Sequence, residues 1–210
     1  MMTKFLYIVK KSLIVTFGML LLGIGVNFIL LANIGTDAVT AAVNGIYNLI
    51  GSVSFGTAQI LFGITLVGAG FLLDKKKVGI GTVIATFAAG FFIDLFQPYI
   101  QQLLPANPSF VPSVLILLIG LIINGIAIAV YLSADFGIGA GEILAVIISE
   151  KKEWQFRSVK IGSDISMLVF GYIFGAVIGA GTIISALIIG PIVQMALPYS
   201  RMIMSRLLRL

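Results

Sequence analysis

GIGTVIATFAAGFFIDLFQPY at residues 79–99 returns as GAGTIISALIIGPIVQMALPY at residues 179–199. Seven of the 21 paired positions are identical: Gly79/Gly179, Gly81/Gly181, Thr82/Thr182, Ile84/Ile184, Gly90/Gly190, Pro98/Pro198 and Tyr99/Tyr199. A chain of 210 residues that states one segment twice is built from two copies of one unit, here residues 1–104 and 105–210 within a single membrane domain. Whether the copies face the same way decides the fold.

The repeat lies in apolar sequence. The chain is 60% hydrophobic and 10% charged, with mean hydropathy +1.16. Soluble domains carry about 25% charge. No charged residue occurs from Ser12 to Thr36, Ala38 to Leu73, Leu95 to Ala134 or Ile165 to Ser200. Runs of about 18 or more apolar residues read as membrane-spanning helices, so the pattern predicts an all-α polytopic membrane protein. The first run is longer than the 7–15-residue core of a secretory signal and reads as a retained helix. Cys and His are both absent, which removes thiol chemistry and the commonest zinc, copper and haem ligands. No metal and no cofactor are expected. The pI near 9.6 does not indicate nucleic acid, because the basic residues cluster beside apolar spans as cytoplasmic loops do.

Spans are predicted over about 12–32, 54–73, 78–97, 113–133, 161–177 and 179–197. Pro98, Pro105, Pro108 and Pro112 bracket an uncharged loop, and EKKEWQFRSVK (150–160) reads as a hydrophilic loop. Two segments, 36–50 and 138–149, are too short to be ordinary spans. If both cross the membrane there are eight spans, the repeats are parallel, and the 13 Lys and Arg divide ten to three across the bilayer. If both are re-entrant there are six spans and all 13 lie on one side. The positive-inside rule favours the second arrangement, with both termini cytoplasmic in a bacterial cytoplasmic membrane. Three spans per half is odd, so the halves form an inverted repeat, as in many secondary transporters.

The short segments are where a site is expected. Offset by 102 residues, Ala32, Gly35 and Ala38 meet Ala134, Gly137 and Ala140, and Thr40 meets Glu142. Glycines at 35, 137, 139 and 141 permit broken helix starts. A helix beginning inside the membrane aims its unpaired N–H groups and positive dipole end at whatever lies there. Asp37, Thr40, Asn44 and Asn48 recur at helical spacing as one polar stripe. Asp37, Asp94, Asp135, Glu142 and Asp164 lie in or at the edge of apolar spans with no Lys or Arg expected beside them. A lone carboxylate there is costly unless protonated, paired or wet. Glu142 and Asp164 are the leading candidates to bind a substrate or ion, with Asp37, Thr40 and Asn44 beside them. Asp37 also fits a helix N-cap, and Asp94 and Asp135 read as structural. Tyr99, Tyr131, Trp154 and Tyr199 read as interface anchors.

The motifs resemble the YczE/YyaS/YitT family of bacterial integral membrane proteins. That family's G-x-G-P-R-D-G-L-like stretch is matched by residues 137–144, its acidic residue in a span by Asp164, and its G-x-G-T…A-L-x-I-G-P by residues 179–191. Its G-x-x-P-W-D is matched by residues 35–40. Two departures stand out: Ala140-Gly141-Glu142 lacks the family's arginine, and Ala38-Val39-Thr40 lacks its first-half acid. The resemblance implies architecture more than substrate.

The expected function is a small-molecule transporter or exporter, not an enzyme, with a cationic or zwitterionic substrate bound near the membrane midplane. No nucleotide-binding P-loop is present, so an ion gradient or a separate ATPase would supply energy. The alternatives are the substrate-binding membrane subunit of an ATPase-driven importer and an accessory protein docking a partner through the 150–160 loop. The expected partners are the lipid bilayer, a small molecule or ion, and a second copy in a homodimer.

Overall fold

The computed structural model describes residues 2–103 and 108–208, with side chains from Phe5. The described residues form eight α-helices and no strand: α1 (Met2–Ala32), α2 (Ala38–Ile50), α3 (Phe55–Asp74), α4 (Ile80–Leu103), α5 (Phe110–Ser133), α6 (Ala140–Lys152), α7 (Phe156–Ile173) and α8 (Ala180–Leu208). Five of them, α1, α3, α4, α5 and α8, are long and apolar enough to cross a membrane. The chain is an all-helical, multi-pass membrane protein.

The centre of the bundle is the crossing of α1 and α5. Small residues let the two backbones meet: a Cβ on Gly25 would stand 2.9 Å from the Asn124 nitrogen, and one on Gly120 would stand 2.9 Å from the Gly25 carbonyl. Gly18 faces Tyr131 and Gly120 faces Ile29, so α1 and α5 run antiparallel. Lipid is as apolar as the core, so packing rather than water exclusion drives such contacts. The outward residues fit that solvent, with Leu72, Leu187 and Met195 all exposed. Around the central pair, α4 packs on α1, α8 on α5, α3 on α4, α2 on α7 and α6 on α3.

The two halves meet reciprocally. Asn33 and Gly35 follow α1 with φ of 50° and 118°; Asp135 and Gly137 follow α5 with φ of 44° and 151°. Each elbow is held by the other half. The Gly181 N–H donates to the Ile34 carbonyl (2.8 Å), and the Gly81 N–H donates to the Phe136 carbonyl (2.9 Å). Glycine is required at both elbows. A Cβ on Gly35 would stand 2.7 Å from the Thr182 nitrogen, and one on Gly137 would stand 2.6 Å from the Thr82 nitrogen, in a backbone region costly for other residues.

The helix pairs that follow the short helices differ between the halves. α3 and α4 touch over Gly56 and Gly90, where the Asp94 carboxylate accepts from the Gly56 N–H (2.7 Å) and from the Ser54 hydroxyl. At Gly190, the counterpart of Gly90, no described residue lies within 4 Å of the space a Cβ would fill.

The basic residues gather at one end. Lys10 reaches the Leu207 carbonyl, Lys11 the Asp135 carbonyl and Lys151 the Leu73 carbonyl, while Lys77 pairs with Glu150. The start of α1 thus meets the end of α8 and the residue after α5, and the ends of α3 and α6 meet each other; the Gly81–Phe136 bond at the start of α4 joins the two groups at one end of the bundle.

Several expected boundaries move. Pro98 lies inside α4, and Pro191 and Pro198 lie inside α8. Each proline forfeits one backbone bond to the residue four before it, which the long helices absorb. The expected hydrophilic loop 150–160 is mostly helical, because α6 continues to Lys152 and α7 begins at Phe156. Pro105 lies outside the described residues.

Candidate functional site

Residues 33–37 and 134–139 turn back from the ends of α1 and α5 and bring the starts of α2 and α6 together. The Val39 Cγ2 lies 3.0 Å from where a Cβ of Gly141 would stand. The two helix starts border a cavity of about 100 Å³, lined also by Met19 and Val26 of α1, Gln59 of α3, Thr86 of α4, and Asn124 and Tyr131 of α5. For scale, a dry cavity of about 150 Å³ holds one benzene.

Each helix start has a carboxylate. Asp37 caps α2: its Oδ1 accepts from the Val39 N–H (3.1 Å) and Thr40 N–H (3.2 Å), and its Oδ2 accepts from the Thr40 hydroxyl (2.6 Å). The cap of α6 is Gly139, which has no side chain to offer, so its first N–H groups have no side-chain partner. Glu142 lies in that first turn, and its Oε2 accepts from the Tyr131 hydroxyl (3.0 Å). Every helix start contributes roughly half a positive charge. Two such starts and two carboxylates face one another across the cavity. Among the described residues no Lys or Arg lines it.

Of the residues expected to form a site, Asp37, Thr40, Gly139, Gly141 and Glu142 line the cavity. Gly35 and Gly137 shape the elbows instead. Asn44 does not reach the cavity, and Asn48 of the same stripe donates to the Phe174 carbonyl (2.9 Å), tying α2 to α7. Asp164 also lies elsewhere. The expectation that it has no basic partner is corrected, since Lys160, one turn earlier on α7, pairs with it. Tyr131 is no interface anchor: it is 6% exposed and holds Glu142. The sequence reading missed Asn124, which is 5% exposed and whose Oδ1 has no hydrogen-bond partner among the described residues. A signal for it existed, as Asn124 is the sole hydrogen-bonding side chain between Ser113 and Tyr131.

Comparison with known proteins gives a family without an activity. Residues 9–198 match the model of a family of unknown function, DUF6198. The chain is 30% identical over 148 residues to the uncharacterized membrane protein YczE of Bacillus subtilis, covering 70% of this chain and 67% of that one. It is 27% identical to an uncharacterized protein of Haemophilus influenzae, over 88% of this chain and 82% of the relative. It is 25% identical to the uncharacterized protein YyaS of Bacillus subtilis, over 86% and 89%. No solved structure matches. The chain thus belongs to the DUF6198 family and to the YczE/YyaS group of membrane proteins.

Proposed function

We propose that this protein is a small-molecule transporter, driven by an ion gradient, whose substrate or coupling ion binds between the starts of α2 and α6. The observation that carries this reading is the meeting of two short-helix starts at a cavity holding Asp37 and Glu142 and, among the described residues, no basic side chain. Broken helices of that kind build the midplane sites of many secondary transporters. The charge balance favours a cationic or zwitterionic substrate.

The proposed topology is six spans in two inverted repeats, with α2 and α6 re-entrant. The antiparallel α1 and α5, corresponding members of the two halves, support it. So does the gathering of Lys10, Lys77 and Lys151 at one end of the bundle, which is then cytoplasmic and holds both termini.

The test begins with thermal unfolding of purified protein across cations, amines and amino acids, beside Glu142→Gln. A ligand at a hundred times its Kd adds about 2.7 kcal/mol, or roughly 5–11 °C for a chain of this size. Glu142→Gln should lose most of that shift. Tracer flux of the same ligand into proteoliposomes then decides transport: binding without flux would refute it.

A further inference from the structure

The cavity is symmetric in its inner layer only. Val26 and Ile128 are counterparts at the 102-residue offset, as are Thr40 and Glu142, and both members of each pair line it. The outer layer is one-sided. Gln59 and Gly63 of α3 and Thr86 of α4 line the cavity, whereas among the described residues none from α7 or α8 does.

α7 is nonetheless placed as α3 is. At an offset of 101, Phe55, Ile60, Ile64 and Gly70 recur as Phe156, Ile161, Ile165 and Gly171. The contacts repeat too. A Cβ on Gly70 would meet Ile143 of α6, and one on Gly171 would meet Ala41 of α2, itself the counterpart of Ile143. The difference lies in the fourth helix of each half. α3 packs on α4, but among the described residues α7 and α8 do not pack on each other. Residues 174–179 join them, so they part toward the start of α7. No described residue lies within 4 Å of where a Cβ on Gly190 would stand, and Ile161 is exposed.

The first half shows what covers that face. Ile60 Cγ1 lies 2.5 Å from where a Cβ on Gly90 would stand, and the counterparts are Ile161 and Gly190. The two seams are unequal. A Cβ on Gly56 would overlap the Gly90 carbonyl, and Arg157 stands in the place of Gly56. A side chain there keeps the α7 and α8 backbones further apart, which makes this seam the one that opens.

We infer that α7 is the moving gate of this transporter: the described conformation is open between α7 and α8, and α7 closes with Ile161 over Gly190, as α3 closes on α4 with Ile60 over Gly90. This inference rests on the transporter reading and supplies its alternating access, in which one repeat moves against the other. Phe156 follows the end of α6 by four residues, so in the proposed topology the gap opens to the cytoplasm. α2 moves with α7, since the Asn48 amide donates to the Phe174 carbonyl and Gly45 abuts Gly171. Closure is thereby felt at the cavity, where Asp37 caps α2.

The test uses the natural absence of cysteine. Ile161→Cys and Gly190→Cys are introduced together, and membranes are oxidised with copper phenanthroline. A disulfide needs the two Cβ atoms about 3.5–4.5 Å apart, a separation that closure gives. Loss of both thiols within one chain is expected, read by the maleimide-polyethylene glycol shift on a denaturing gel. Adding Arg157→Gly, which lets the backbones approach, should speed that loss about five- to a hundredfold, the range of overpacking penalties. Retention of both thiols would overturn the gate, as would equal rates with Arg157 and with Arg157→Gly. A disulfide between two chains would overturn it in favour of a second copy on this face. Cross-linking needs no substrate, so it succeeds or fails apart from the transporter reading. Tracer flux of the compound that gives the thermal shift should stop on oxidation and return with reductant. Flux that persists through the closed disulfide would overturn the role of α7 as gate, whereas no flux in the untreated wild type would overturn the transporter reading and the gate with it.

Discussion

Gly90 and Gly190 occupy the same place in the two repeats, so replacing each by alanine is a controlled comparison. At position 90 the new methyl would overlap the Gly56 carbonyl oxygen and stand 2.5 Å from Ile60 Cγ1. Real Cβ atoms do not approach to under 3.0 Å, so α3 and α4 must separate. Overpacking of this kind costs about 1–3 kcal/mol. At position 190 the methyl meets nothing within 4 Å. Alanine also relieves glycine's penalty inside a helix, about 0.5–1 kcal/mol, and that gain applies at both sites and cancels in their difference. Gly190→Ala should be neutral or slightly stabilising. Gly90→Ala should unfold below it by roughly 2–12 °C, at about 2–4 °C per kcal/mol for a chain of this size. Thermal unfolding of both variants in one detergent reads the difference. Equal unfolding temperatures would refute the asymmetry between the α3–α4 and α7–α8 pairs.

Other outcomes follow from the same contacts. Gly35→Ala and Gly137→Ala put a methyl within 2.7 Å of the other half's backbone at positive φ; each should cost more than about 2 kcal/mol and broaden or abolish the monodisperse peak in size-exclusion chromatography. The natural absence of cysteine makes topology directly measurable: Ser52→Cys should react with an impermeant maleimide in intact cells and Lys76→Cys only after lysis, whereas the reverse would establish eight spans. Asp164→Asn breaks only a partly exposed ion pair with Lys160, worth at most about 1 kcal/mol; ligand binding and flux should persist, and their loss would return Asp164 to the site.

The repeat, the two short helices and the glycine breaks were legible because each leaves a local mark: identity at a fixed offset, a run too short to span, and Gly where φ turns positive. Asp37 was legible as a cap because capping involves only its next few residues. Asn124 and Tyr131 were harder. α5 is apolar around its whole circumference, so periodicity does not reveal which face meets the cavity; α1, distant in sequence, and the fold-back that brings the start of α6 onto Tyr131 decide that. Asp164 was misread for the opposite reason. Its partner Lys160 lies four residues before it, an ordinary helical pair, but the hydrophilic run from 150 concealed that α7 had already begun. Asn44 and Asn48 share a stripe with Asp37, yet α2 tapers away from the cavity toward α7, so only the stripe's first turn reaches the site.

The bonds from Ile34 to Gly181 and from Phe136 to Gly81 have an evolutionary consequence. They are one contact made twice, each half giving the elbow to the other and receiving its helix start in return. That exchange is the rule of an isologous two-fold dimer, in which residue i of one copy meets residue j of the other and the reverse. A half-length ancestor would leave its elbow unfastened until a second copy met it by the two-fold relation. Duplication and fusion would then preserve an interface already selected and leave the copies free to differ, as they now do at Thr40 against Glu142 and at Gly190 against Gly90.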